Sequence, residues 1–314
     1  MLEHGGRLRA ATRRWGIPHA EWLDLSTGIA PWPYPLPAVP AEVWQRLPEE
    51  DGELETVASN YYGAHDTMDL LALPGSQAAI QALPRLFSPG RVALPLPIYN
   101  EHPAAWQAAS HALVAWDAPS DYAVLCNPNN PTGEKLSRDE LLERARSLRL
   151  LVVDEAFIDA DPGESLVGCG AGNIVVLRSL GKFFGLAGAR VGFAIAAPAL
   201  LDRLQETLGP WAVSHPARWA ARLALADRAW QATQRERLQV ASRRLAGLLT
   251  GLGTPTGCAL FQHVATPRAA AIHEQLARRG ILVRRFDAPA ALRFGLPGRE
   301  QDWQRLENAL KEIA

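Results

Sequence analysis

The chain has 314 residues, 48% hydrophobic and 21% charged, with 32 Lys plus Arg against 33 Asp plus Glu and a formal net charge of −1. That composition excludes a disordered or fibrous chain, and the balanced charge supplies no basic field for nucleic acid or a membrane surface. Cys126, Cys169 and Cys258 are widely spaced and form no CxxC pair, so neither a disulfide framework nor a cysteine metal site is expected, and a reducing cytoplasm is the expected setting. The longest apolar run, residues 191–201, is broken by Pro198 and falls short of the roughly 20 residues of a membrane span. The first residues run into arginines without the apolar core of a secretory signal.

In chain order, residues 1–44 read as an arm. Pro31, Pro33, Pro35, Pro37 and Pro40 remove backbone donors and favour an extended course, while Trp32, Tyr34 and Leu36 between them call for a surface to lie on. That surface is either the chain's own or that of a site or partner subunit.

Residues 45–205 carry short apolar runs at 70–73, 92–94, 123–126, 150–153, 174–177 and 191–196, with helical stretches at 77–86 and 137–148 between them. The second helix opens on Ser137-Arg138-Asp139-Glu140, a capping box. Alternation of this kind predicts an α/β fold, a large domain whose mostly parallel central sheet is covered by helices. In such a sheet the ligand site collects at the carboxyl ends of the strands. Residues 206–314 predict a smaller α+β domain: one long helical stretch over 216–250, strands at 259–264, 281–286 and 291–295, and helices at 267–279 and 300–313.

Nucleotide-binding motifs fail. Gly181-Lys182 lacks the glycine five residues earlier, where Val176 stands, and the glycine cluster 168–172 precedes a strand instead of joining strand to helix. No paired-histidine metal spacing is present, so no metal is expected.

Four strand-end segments remain. Leu73-Pro74-Gly75-Ser76-Gln77 exposes backbone N–H groups that can meet an anion, although a plain strand-to-helix turn reads the same way. Asn127-Pro128-Asn129-Asn130-Pro131-Thr132-Gly133 pins asparagines between prolines and can aim an amide. Asp154-Glu155-Ala156-Phe157 sets two acids at the end of an apolar strand, where a carboxylate either caps a helix or holds a proton on a heteroaromatic nitrogen. Arg178-Ser179-Leu180-Gly181-Lys182, with Arg190 eight residues on, offers a desolvated amine beside a hydroxyl and a guanidinium suited to phosphate.

In this order the four segments resemble the fold-type I pyridoxal 5'-phosphate enzymes of the class I/II aminotransferase family, over about residues 74–293. The resemblance implies that Lys182 carries the cofactor covalently and that Asp154 keeps its ring nitrogen protonated. It implies that Asn130 bonds the ring oxygen and that Gly75, Ser76, Gln77, Ser179 and Arg190 cradle the phosphate. His102 aligns with the aromatic residue that stacks on the ring. Arg293 matches the arginine that grips a substrate carboxylate, and Arg284 a second anion-binding arginine.

Within the family, His4-Gly5-Gly6, the segment from Leu25 to Pro35, and Phe157 in place of the usual tyrosine resemble a decarboxylating branch of cobalamin biosynthesis, and His4 joins the expected substrate contacts. The implied reaction is decarboxylation of L-threonine O-3-phosphate. Amino transfer from histidinol phosphate is the alternative within enzymes, and a non-catalytic scaffold keeping the fold is the alternative outside them. A homodimer is implied as well. Ala30, Leu47, Gly181 and His102 depart from the family's usual residues at their positions.

Overall fold

The computed structural model describes residues 3–49, 52–64 and 68–313. Its strands are β1 (Leu23–Leu25), β2 (Asp69–Leu73), β3 (Arg91–Leu94), β4 (Ala112–Ala115), β5 (Tyr122–Cys126), β6 (Leu150–Asp154), β7 (Ile174–Ser179), β8 (Gly192–Ala196), β9 (Pro255–Cys258), β10 (Phe261–Ala265), β11 (Ile281–Asp287) and β12 (Ala290–Gly295). Seven of these form one sheet in the order β2-β8-β7-β6-β5-β3-β4, and β8 alone runs antiparallel to its neighbours.

The central strands are buried along their whole length because each feeds two cores. Leu125, Leu151, Val153, Val176 and Ile195 enter one core, while Val124, Val152, Val175, Leu177 and Ala194 enter the other. Successive side chains on a strand point to opposite faces, so continuous Val/Ile/Leu runs are what a sheet covered on both sides requires. This is the fold-type I architecture expected from the sequence. β4 lies at the edge beside β3 and is not among the strands expected from the sequence, although its partly exposed residues form a short apolar run.

The second sheet has the order β1-β11-β12-β10-β9. β1, from the proline-rich amino-terminal region, pairs parallel to β11 through Leu23↔Ile281 and Leu25↔Val283. Beyond it, Trp32 and Tyr34 lie on the chain's own surface, whereas residues 35–38 are exposed. Tyr34 N–H donates to Phe184 O (2.9 Å), Gln234 Nε2 reaches Trp32 O (3.0 Å) and Phe183 O (3.1 Å), and the Arg237 guanidinium lies 3.6 Å from the Trp32 ring centroid.

Two expected elements differ in detail. The stretch 216–250 is two helices, His215–Ala226 and Arg228–Leu249, broken at Asp227, whose carboxylate caps the second by accepting from Trp230 N–H at 2.9 Å. The strand at 259–264 is a hairpin, β9 turning at Ala259-Leu260 into β10.

Candidate active site

β2, β5, β6 and β7 run in the same direction, so the residues that follow them gather at one edge of the large sheet. After β5, Asn127 cross-ties the loop by donating to Leu136 O (3.0 Å) and accepting from Leu136 N–H (3.1 Å). Asn129 Nδ2 donates to Pro97 O (3.0 Å) and Thr132 Oγ1 (2.9 Å). The braced loop presents Asn130, whose Oδ1 accepts from Arg293 Nη1 at 2.5 Å.

The two acids that end β6 part company. Asp154 faces His102, with Nε2 3.0 Å from Oδ2, and its Oδ1 accepts from Ala156 N–H at 3.1 Å. Glu155 turns into the interior, where it meets Arg178 Nη1 (2.9 Å), Ser165 Oγ (2.7 Å) and Leu166 N–H (2.8 Å). Arg178 also approaches Asp159 Oδ1 at 3.3 Å and stacks 4.4 Å from the Tyr62 ring centroid. Burial pushes the Glu155 and Asp159 carboxyls up, and Arg178 opposes the shift in both. Glu155 therefore ties the interior together, while Asp154 is held beside His102.

After β7 the chain turns sharply. Ser179 Oγ accepts from Gly181 N–H at 3.4 Å, and a Cβ at Gly181 would stand 3.1 Å from Ala187 Cα, so the residue before the lysine has little room for a side chain. Ala30 N–H donates to Lys182 O (3.0 Å), which anchors the lysine backbone to the amino-terminal region. The half-buried Lys182 amine is held at about 8. Burial is the main cause and the Arg293 and Arg190 guanidiniums add to it, while Asp154 opposes them. Phe157 lies 5.5 Å from Nζ. Gly75 has a positive φ of 79°, and a Cβ there would come within 2.7 Å of Arg190 Nη2. Only glycine suits both the backbone and the space.

A cavity of about 250 Å³ opens beside Lys182. It brings together His4, Asn130, Lys182, Arg190, Arg284 and Arg293 of the residues expected from the sequence. Gly75, Ser76, Gln77, His102, Asp154 and Ser179, also expected from the sequence, are not among the residues that line it. Glu3 is the only carboxylate among the lining residues, against four Lys or Arg cations. Arg284 and Arg293 are cross-strand partners on β11 and β12. Arg293 is buried, donates to Ser26 O (3.1 Å), and is lowered to about 10, chiefly by burial and then by Arg284. Its Nε has no hydrogen-bond partner among the described residues.

Glu3, Tyr99 and Glu101 were not singled out as site residues from the sequence. Glu3 pairs with Arg284, its carbonyl accepting at 2.7 Å and its carboxylate lying 3.3 Å away. Glu101 meets His4 Nε2 at 2.7 Å and accepts from Gln77 Nε2 at 3.0 Å, while Tyr99 O–H donates to Gln77 Oε1 at 3.2 Å. The Gln77 side chain is thus engaged at both ends. Glu101 opens the helix Glu101–Ala108, where an acid is commonplace, and only its neighbour His102 hinted at a site. A further grouping went unforeseen where no metal was expected. His102, Cys126 and Asp154 offer donor atoms within 4.8 Å of one another, with the Cys126 thiol pushed well up by burial and by Asp154.

A lysine held near neutrality, a buried strand-end carboxylate and a cationic cavity on this fold define an enzyme that works through an aldehyde cofactor. Residues 48–313 match the model of the aminotransferase class I and II family, and the chain belongs to that family, whose enzymes depend on pyridoxal 5'-phosphate. It is similar to threonine-phosphate decarboxylase of Pseudomonas aeruginosa, 53% identical over 325 aligned residues covering 99% of this chain and 97% of the relative. It is also similar to threonine-phosphate decarboxylase of a Sinorhizobium species, 41% identical over 333 residues covering 99% and 98%. Among solved structures, histidinol-phosphate aminotransferase from Sinorhizobium meliloti in complex with pyridoxal-5'-phosphate shares the fold, with a TM-score of 0.82 at 20% identity, covering 100% of this chain and 96% of that one. The residues present fit the cofactor: the amine is depressed, the Gly75 turn leaves space for Arg190, and Arg293 Nε is left over beside the cavity.

Proposed function

We propose that this enzyme decarboxylates L-threonine O-3-phosphate to (R)-1-amino-2-propanol O-2-phosphate, as a step of cobalamin biosynthesis. The observation that carries the reading is the charge of the cavity beside Lys182, four Lys or Arg cations against one carboxylate, which suits a small molecule bearing both a carboxylate and a phosphate. Two relatives of that name match the whole chain, including the amino-terminal segment. That segment, through Glu3, His4 and Gly5, walls the cavity.

When bound, the cofactor supplies an electron sink beside the Cα of the substrate. Lys182, with its amine at about 8, has a far larger neutral fraction near physiological pH than an ordinary lysine, so its Nζ would hold the cofactor through the aldehyde carbon, with loss of water, and would return a proton to Cα once carbon dioxide has left. Asp154 keeps the proton on the cofactor's ring nitrogen. The Asn130 Oδ1 is taken by Arg293, which leaves Nδ2 to donate to the ring oxygen. The Gly75 N–H is taken by Leu73 O (2.7 Å), so Gly75 would serve as the turn, while Ser76 and Gln77 would offer backbone donors, and Ser179 and Arg190 a hydroxyl and a guanidinium, to the cofactor phosphate. Arg293 and Arg284, with His4, would hold the substrate's two anions and so orient the bond between Cα and the carboxylate for cleavage, which releases carbon dioxide and leaves the bonding pair at Cα for the electron sink.

The reading extends to a cytoplasmic homodimer. Among the described residues no helix is long and apolar enough to cross a membrane. Trp44 (68% exposed), Leu47 (62%) and Leu96 (74%) offer large apolar side chains for a second copy to cover.

Incubation of the cofactor-loaded enzyme with carboxyl-labelled L-threonine O-3-phosphate tests the reaction. Labelled carbon dioxide and the amino alcohol phosphate are expected in equal amounts, with neither formed by Lys182→Ala. Retention of the label in a 2-oxo acid would overturn the proposal.

A further inference from the structure

A second cavity, of about 190 Å³, is separated from the substrate cavity by the amino-terminal segment. Glu3, His4, Gly5, Ser26 and Arg284 line both and form the partition. The partition is tight: a Cβ at Gly5 would stand 2.2 Å from Ser26 O, and Gly6 N–H donates to Ser26 Oγ at 2.8 Å. The rest of the second cavity comes from other elements. Arg7, Ala10, Ala11 and Arg14 recur at the spacing of one helical face, on the helix Leu8–Trp15 and the residue that opens it. The two alanines leave room between the arginines that flank them. Opposite stand His273, on the helix Ala269–Arg278, and Arg285 on β11.

The charge of this cavity is one-sided. Arg7, Arg14, Arg284 and Arg285 line it, with Glu3 as the one carboxylate among the lining residues. Glu3 already rests 3.3 Å from Arg284, so the cations here accept an acid. Outside the lining, Asp287 meets Arg285 at 3.0 Å and Glu274 meets Arg278 at 2.6 Å. These acids leave the field at His273 positive. Burial pushes its imidazole down, Arg285 and Arg14 push it further, and Arg284 adds to them while Glu3 opposes. Guanidiniums gathered around one cavity repel one another until an anion lies between them, and their forked donors match a phosphate.

We infer that this cavity is a second anion site, separate from the substrate cavity, for a small phosphate-bearing molecule held by Arg7, Arg14, His273 and Arg285. The occupant bridges the helix Leu8–Trp15 to the second sheet and so steadies the segment that carries Glu3 and His4. The apolar cluster beneath that helix is small, with Ala11, Trp22 and Ala277 as its buried members, so an added ionic tie counts. The inference goes beyond the proposed reaction and holds whichever substrate the enzyme takes.

The test titrates histidine-labelled, cofactor-loaded enzyme with inorganic phosphate and, in a second series, with glycerol 2-phosphate. NMR follows the His273 ring signals, assigned by their loss in His273→Gln. A saturable movement of these signals is expected, with the ring's titration midpoint raised by the bound anion. Arg14→Ala should raise the dissociation constant by about tenfold, the loss of one charge-assisted contact, and Arg14→Lys should recover part of it. Arg293→Ala, altered in the substrate cavity alone, should leave the movement intact. Tighter binding of the second titrant would mark a phosphate ester as the occupant, and tighter binding of the first the free ion.

A movement matched by sodium chloride at equal ionic strength would overturn the inference, as would no movement at all. So would a movement that Arg293→Ala abolishes and Arg14→Ala leaves unchanged, which places the anion in the substrate cavity. No turnover is involved, so the outcome is readable even if the proposed reaction fails.

Discussion

Arg284 and Arg293 are direct partners across the β11–β12 ladder, so two guanidinium groups share one face of a hairpin at the wall of the cavity. Like charges placed opposite each other are unfavourable, and an anion between them relieves the repulsion. In the described structure Glu3 supplies part of that relief to Arg284. Replacing Arg284 by alanine should raise KM for L-threonine O-3-phosphate by about 10- to 100-fold with a smaller change in kcat, the loss of one charge-assisted contact. Steady-state kinetics checks this, and an unchanged KM would remove Arg284 from the substrate site.

The depressed Lys182 amine has a definite pH signature. Its value in the folded chain, about 8, lies below the ordinary 10.5, so the folded state gives up this proton first. The cofactor-free protein should therefore gain stability from this group as pH rises from about 8 toward 10.5, with the group's full unfavourable contribution present below that window. Over the lower edge of the same window the neutral amine accumulates. The rate of pyridoxal phosphate capture, followed by absorbance, should climb with pH and level off above about 8. A midpoint near the ordinary lysine value would contradict the burial argument.

Gly75→Ala should weaken cofactor retention without unfolding the chain. The new Cβ would meet the Arg190 guanidinium at 2.7 Å on a backbone whose φ of 79° already disfavours alanine. Equilibrium dialysis should show a dissociation constant raised by at least about tenfold, the equivalent of one displaced charge-assisted bond. Thermal unfolding of the cofactor-free form should move by only a few degrees.

Arg178 is structural by the same geometry. Its removal leaves Glu155 and Asp159, both fully buried, without their shared cation. Arg178→Ala should destabilise the protein by about 3–5 kcal/mol in urea unfolding, the cost of breaking a buried ion pair. A loss below about 1 kcal/mol, the size of a surface pair, would show that the network contributes little.

Much of this architecture is legible in the sequence because local chemistry dictates it. The continuous apolar runs that became β5, β6, β7 and β8 could be buried only between two helical layers. The Ser137 capping box forms both of its predicted bonds. Lys182, Asn130 and Arg190 converge because strand ends converge at one edge of the large sheet, whereas Arg293 reaches the cavity from within β12 of the second sheet. The break at Asp227 was hidden, since one aspartate in an Ala/Arg/Leu-rich stretch does not outweigh the helical propensity around it. The contacts of Glu101 with His4 and of Glu3 with Arg284 span 97 and 281 residues, and no local pattern encodes a pairing at that distance. Composition and spacing do not separate the adjacent acids Asp154 and Glu155; only the resemblance to the family singles out Asp154.

The most direct test of the central claim sets two substrates side by side on the purified, cofactor-loaded enzyme. One reaction receives L-threonine O-3-phosphate and is followed for carbon dioxide. The other receives histidinol phosphate with 2-oxoglutarate and is followed for glutamate. Carbon dioxide from the first without glutamate from the second is the predicted result. Glutamate without carbon dioxide would contradict it and make the enzyme an aminotransferase.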